Sequence, residues 1–61
     1  MEPATRVKIA LLTAEMEAIH FANRLYWERG EAATLEERAE YQRRQDRLEE
    51  IRAELAKLRS V

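Results

Sequence analysis

A single glycine, Gly30, lies near the midpoint of this 61-residue chain and separates two helix-forming stretches of nearly equal length. Glycine readily adopts the left-handed conformation that commonly ends helices, and here it follows Glu28 and Arg29. A chain with one internal break folds back once and has no further segment to cover the resulting pair of helices. The sequence therefore predicts an all-α fold, an antiparallel hairpin of two long helices that forms a single domain over residues 1–61.

Local signals place the ends of the two helices. Pro3 suits the first turn of a helix, where its missing N–H would have no partner in any case. We expect helix 1 over about residues 3–29 and a loop over residues 30–34. Thr34 and Glu37 have the spacing of a capping box, in which each side chain accepts a hydrogen bond from the backbone N–H of the other residue. Helix 2 is then expected over about residues 35–59.

The apolar residues of helix 2 follow one narrow seam. Residues spaced three and four apart read Thr34, Glu37, Tyr41, Arg44, Leu48, Ile51, Leu55 and Leu58. This spacing is typical of coiled-coil packing. Acidic and basic residues alternate over the rest of the helix, as they do on solvated helix surfaces. We therefore expect one side of helix 2 to face a partner and the rest to face water.

Helix 1 carries two apolar seams. The first seam contains Val7, Leu11, Ala14, Ala18, Phe21 or Ala22, and Leu25. The second seam contains Ile9, Leu12, Met16, Ile19, Asn23 and Tyr26. We expect the two seams to lie side by side and to cover more than half of the helix circumference. Helix 2 can cover only one of them, and the sequence leaves open which one.

A second copy of the chain is the simplest cover for the remaining seam. A chain of this length buries only about 60% of the surface that its unfolded form exposes. Cysteine is absent, so no disulfide supplements the core. We predict a homodimeric four-helix bundle in which the two first helices form the central contact, with an unidentified protein partner as the alternative cover. The core and the dimer contact are assigned to Val7, Ile9, Leu11, Leu12, Met16, Ile19, Leu25, Tyr26, Tyr41, Leu48, Ile51, Leu55 and Leu58.

Three polar residues within the apolar pattern, Glu15, Asn23 and Arg44, are predicted to be at least partly buried. A carboxylate at Glu15 needs a positive partner, which an arginine of helix 2 or Lys8 could supply. A lone amide in a seam, such as Asn23, commonly fixes the register of the helices. The expected pairing of the two helices places Asn23 near Tyr41.

The sequence predicts no enzyme, no catalytic residue, no cofactor and no metal ligand. There is no glycine-rich loop, and the one serine, Ser60, lies near the end of helix 2. Glu17 and His20 have the Glu-x-x-His spacing of helical di-iron sites. Because this pair falls on the polar side of helix 1, a metal-binding bundle is kept only as an alternative function.

The charge balance does not favour nucleic acid as a partner, because 11 basic and 12 acidic residues give a formal net charge of −1. The predicted architecture resembles that of the ROP-type hairpin dimers, a small class that includes an RNA-binding regulator. The resemblance concerns the fold alone, without a shared residue motif. It implies a second alternative function, nucleic-acid binding, for which Arg6, Lys8, His20 and Arg24 on helix 1 would be the candidate residues.

No segment is long and apolar enough for a membrane. The uncharged stretches over residues 9–14 and 18–23 are far shorter than the ~20 residues that a span needs. The first residues mix acid and base and contain no apolar run of the kind found in secretory signals. We therefore expect a cytoplasmic, non-enzymatic module for structure or protein–protein interaction, and the sequence does not specify its biological process.

Overall fold

The computed structural model describes residues 2–60 and consists of two long helices packed against each other as a hairpin. Helix α1 covers Pro3–Arg29, a short 3-10 turn covers Gly30–Ala32, and helix α2 covers Leu35–Arg59. The molecule measures 45 × 15 × 13 Å along its principal axes. The predicted all-α hairpin is therefore confirmed. Across residues 2–60, neither helix has a stretch long and apolar enough to cross a membrane.

Gly30 ends α1, but not in the conformation expected from the sequence. Its backbone has φ 54° and ψ −126°, and its N–H donates to the carbonyl of Trp27. The positive φ explains why glycine occupies this position. The value of ψ lies outside the left-handed helical region and matches instead the first central residue of a type II′ turn. The chain therefore reverses through a 3-10 turn, which the bond from the Ala33 N–H to the Gly30 carbonyl closes at 3.2 Å.

The predicted capping box is present at the start of α2. The backbone N–H of Glu37 donates to the Thr34 hydroxyl at 3.1 Å, and the backbone N–H of Thr34 donates to the Glu37 carboxylate at 3.0 Å. These bonds satisfy N–H groups that the first turn of a helix leaves without partners. The bond from the Thr34 N–H lowers the pKa of the Glu37 carboxyl below its ordinary value.

The core of the hairpin answers the question that the sequence left open. On α1 the second seam faces α2, because Leu12 and Ile19 are buried and Ile9 and Met16 are partly buried. On α2 the single predicted seam supplies the other half of the core, with Leu48, Ile51 and Leu55 buried and Leu58 partly buried. Tyr26 and Tyr41 continue the same contact toward the turn and are half-buried.

Three ion pairs join the two helices along their length. Lys8 pairs with Glu54 at 2.8 Å near the open end, Glu15 pairs with Arg47 in the middle, and Arg29 pairs with Glu37 at 2.7 Å near the turn. Surface pairs of this kind contribute little net stability, because water solvates both charges. Their spread along the hairpin nevertheless favours one register of α1 against α2.

Candidate interaction surface

The most unusual surface of the molecule is an apolar stripe on α1 that no part of the described chain covers. This outer stripe consists of Val7, Leu11, Ala14, Ala18, Phe21 and Leu25, all of which are exposed. The four large side chains retain much of their accessible surface, at 59% for Val7, 66% for Leu11, 55% for Phe21 and 48% for Leu25. A contiguous apolar patch of this kind commonly marks an interaction site.

The outer stripe and the core-facing seam lie on nearly opposite sides of α1. At about 100° per residue, their mean directions differ by about 150° around the helix axis. The expectation that the two seams lie side by side is therefore wrong. A partner bound to the outer stripe would therefore be separated from α2 by α1.

The accessible surface of the chain is large for its mass. The protein exposes 4824 Å² for a mass of 7.2 kDa. The scaling that describes folded monomers gives about 4,100 Å² at this mass. The difference of about 700 Å² is close to the ~800 Å² that each partner buries in a protein–protein interface of standard size. The hairpin thus carries a surplus of surface about as large as one interface.

Glu15 lies at the edge between the core and the surface, and Arg47 is its partner. The Nε atom of Arg47 donates to Glu15 at 2.6 Å, and its second terminal nitrogen donates to the other carboxylate oxygen at 2.9 Å. This two-pronged contact is the strongest geometry available to a carboxylate and a guanidinium. The hydrogen bonds from Arg47 lower the pKa of the Glu15 carboxyl below its ordinary value. Glu15 is therefore held as a carboxylate, and Lys8, the other partner considered, binds Glu54 instead.

Asn23 is the one fully buried polar side chain among the described residues, with 2% of its surface exposed. Its amide oxygen accepts from the Nε atom of Arg44 at 2.8 Å, and its amide nitrogen donates to Gln45 at 3.0 Å. The side chains of Arg44 and Gln45 are half-buried. Among the described residues no buried side-chain nitrogen or oxygen lacks a hydrogen-bond partner, which is the condition for a polar group inside a core. The seam position of Asn23 indicated this role, but nothing in the sequence singled out Gln45.

Aromatic residues close the hairpin near the turn. The rings of Tyr26 and Tyr41 stack with centroids 4.5 Å apart and planes 9° apart. Trp27 meets Tyr41 edge-on at 6.3 Å. Tyr41 therefore packs mainly against Tyr26, and Asn23, which the sequence placed beside Tyr41, instead bonds to residues one helical turn further along α2.

The arrangement around Glu17 and His20 does not form a metal centre within one chain. Both side chains are exposed on α1. The carboxylate of Glu37 is occupied by the capping box and by Arg29. Within residues 2–60, no group of three or more histidine, aspartate or glutamate side chains is placed to hold a metal ion. Metal binding by this pair stays a prediction that would need a second chain.

A surface groove with a volume of about 360 Å³ lies between α1 and α2. It is lined by Glu15, Ile19, Glu40, Arg43, Arg44 and Arg47. Two of the three arginines already bind groups of the protein, since Arg44 donates to Asn23 and Arg47 donates to Glu15. The two carboxylates in the same groove balance two of the three positive charges. The groove is therefore a weakly basic surface.

No family model, curated protein or solved structure matches this chain.

Proposed function

We propose that the protein is a small non-enzymatic module that self-associates as a homodimer through the outer stripe of α1. The observation that carries the proposal is the exposure of four large apolar side chains on the helix face opposite to the hairpin core. Two α1 helices would then form the central contact of a four-helix assembly, with one α2 helix on either side. A cytoplasmic location and a role in structure or protein–protein interaction remain predictions from the sequence.

The energetics support a dimer whose formation depends on concentration. Complete burial of a large apolar side chain contributes about 1.5–3 kcal/mol. Covering what the four side chains still expose would contribute about 3–7 kcal/mol per protomer, or about 7–14 kcal/mol per dimer. Bringing two chains together costs about 4–15 kcal/mol. The two quantities are similar in size, so we expect monomer and dimer to exchange over an accessible range of protein concentration.

The test compares one substitution at two exposed leucines. Leu11 lies on the outer stripe, whereas Leu35 lies at the start of α2, outside the stripe, and is 82% exposed. If Leu11 is buried in a dimer, Leu11→Glu removes about 2–4 kcal/mol of apolar burial per dimer. This loss weakens dimerisation by roughly 30- to 700-fold. Leu35→Glu is expected to leave dimerisation unchanged.

Light scattering gives the readout, and circular dichroism verifies that each variant remains helical. The native chain and Leu35→Glu should have about twice the chain mass of 7.2 kDa, whereas Leu11→Glu should have the mass of a single chain. A helical Leu11→Glu variant that stays dimeric would show that the outer stripe is not the contact. A native chain that is monomeric and fully helical would contradict self-association itself.

Nucleic-acid binding is the second candidate function, and the groove with three arginines is the observation that favours it. Arginine suits phosphate recognition because its planar guanidinium matches phosphate oxygens. It ranks second because two of these arginines are engaged within the protein and the formal net charge of the chain is −1. A mobility shift with RNA or DNA at low salt, lost steeply as salt rises, would support it. No shift at low salt would exclude it.

A further inference from the structure

The outer stripe of α1 reads the same in both directions along the helix. Successive members from Val7 to Leu25 are spaced four, three, four, three and four residues apart. Their sizes are also symmetric, with two large side chains at each end and two alanines, Ala14 and Ala18, in the middle. Reversing the helix therefore superimposes the stripe on itself. A surface with this symmetry can pair with its own copy in an antiparallel orientation.

We infer that two copies of α1 pair antiparallel about a two-fold axis that passes between Ala14 and Ala18. This inference rests on the proposed function and specifies its geometry. In this register Val7 lies opposite the partner's Leu25, Leu11 opposite the partner's Phe21, and Ala14 opposite the partner's Ala18. The two alanine layers at the axis allow the helix backbones to approach closely, and the large layers on either side fill the space as the helices diverge.

The flanking charges and the helix dipoles distinguish this register from a parallel one. Antiparallel α1 helices align their dipoles favourably. A parallel pair would place Phe21 against the partner's Phe21, and Arg24, whose guanidinium lies 5.7 Å from the centre of the Phe21 ring, beside the partner's Arg29. The antiparallel pair instead places Arg24 beside the partner's Ala10. Its electrostatic cost lies elsewhere, because Glu17 faces the partner's Glu17 on one side of the axis; Glu15 faces the partner's Glu15 on the other side but is already paired with Arg47.

The placement of α2 is compatible with this pairing. Because the outer stripe points about 150° away from the core-facing seam, each α2 helix lies on the far side of its own α1 from the partner. The four helices then lie in an extended row in the order α2, α1, the partner's α1 and the partner's α2. The ion pair of Glu15 with Arg47 is retained, since both side chains belong to the same chain.

Cysteine cross-linking tests the register, and because the sequence contains no cysteine, no native thiol competes with the introduced ones. Val7 and Leu25 are 18 residues apart, which corresponds to about 27 Å along the helix. A disulfide needs Cα atoms within about 7 Å. In the antiparallel register, Val7→Cys and Leu25→Cys should each fail to cross-link to itself, and a mixture of the two should form a disulfide-linked dimer. The double variant should form the same dimer alone.

Leu35→Cys is the matched control for random collision, because Leu35 is exposed and lies outside the outer stripe. A mixture of Leu35→Cys with Val7→Cys should give only background cross-linking under mild oxidation. Self-cross-linking of Val7→Cys and of Leu25→Cys above this background would overturn the antiparallel register in favour of a parallel one. A native chain of single mass with no cross-linking in any mixture would refute the proposed function itself, and the register with it.

A second measurement does not depend on cysteine. Because Glu17 faces the partner's Glu17 only in the antiparallel register, Glu17→Gln should tighten the dimer by about twofold, the size expected for removing one like-charge surface pair. In a parallel pair Glu17 would face the partner's Ala22, and the substitution would leave the dissociation constant unchanged. An unchanged or weaker dimer for Glu17→Gln would contradict the register even if the cysteine variants failed to fold.

Discussion

Replacement of Asn23 by alanine is expected to destabilise the protein more than any other single change of a polar side chain. Asn23→Ala removes one hydrogen bond from a charged donor, Arg44, and one bond to a neutral acceptor, Gln45. A bond to a charged group contributes about 1.5–3 kcal/mol and a neutral one about 1 kcal/mol. Arg44 and Gln45 are half-buried, so water can replace part of the loss. We therefore expect a net cost of about 1–3 kcal/mol.

Urea denaturation followed by circular dichroism measures this cost. For a small domain with a slope of about 1 kcal/mol per molar urea, the midpoint should fall by about 1–3 M. All variants must be compared at one protein concentration, because the stability of a dimer depends on protomer concentration.

The matched control is Gln42→Ala, which removes a side-chain amide bond to Asp46 on the exposed surface of α2. A change of at most about 0.5 kcal/mol is expected there, as for most surface substitutions. In a double-mutant cycle, Asn23→Ala and Arg44→Ala together should cost less than the sum of the two single changes, because each single change leaves the other group without its partner. Equal urea midpoints for Asn23→Ala and Gln42→Ala would show that the buried amide does not stabilise the hairpin.

Three further predictions address the core, the turn and the ion pairs. Ile51→Ala should cost about 2–5 kcal/mol because Ile51 has no exposed surface, and a loss below about 1 kcal/mol in urea denaturation would contradict the core described here. Gly30→Ala should lower the free energy of unfolding by about 1–3 kcal/mol through backbone strain alone, since no atom lies within 4 Å of the added Cβ. An unchanged urea midpoint would mean that residue 30 does not have the positive φ described here. The pKa values of Glu15, Glu37 and Glu54 are lowered by hydrogen bonds in the folded state, so these groups stabilise it above the ordinary glutamate pKa of about 4.3 and lose that contribution as pH falls through their lowered values. The thermal unfolding midpoint should accordingly fall as the pH is lowered below about 4.3. A midpoint that rises on acidification would contradict the stabilising role of these carboxylates.

The local signals in the sequence were sufficient for the secondary structure. Gly30 and the Thr34–Glu37 capping box mark the reversal of the chain because each provides backbone chemistry that few other residues provide. The single seam of α2 likewise predicted its core face, since after Leu35 at its first position the only large aliphatic residues of that helix are Leu48, Ile51, Leu55 and Leu58.

The choice between the two seams of α1 could not be made from apolar content, because both carry large aliphatic side chains. Asn23 was the one available signal. A buried amide needs polar partners, and α2 offers Arg44 and Gln45 at the facing positions, whereas the outer stripe contains no polar residue. The identity of the Glu15 partner was also undetermined, because several arginines of α2 lie within reach of one turn and only the packing of the helices selects Arg47.

Sedimentation equilibrium of the native chain over a range of concentrations measures directly whether a second copy of the chain binds. We expect a mass that approaches twice 7.2 kDa as concentration rises, with the helical signal increasing or constant over the same range. A single-chain mass at every concentration, in a fully helical protein, would contradict the claim that a second copy covers the outer stripe of α1.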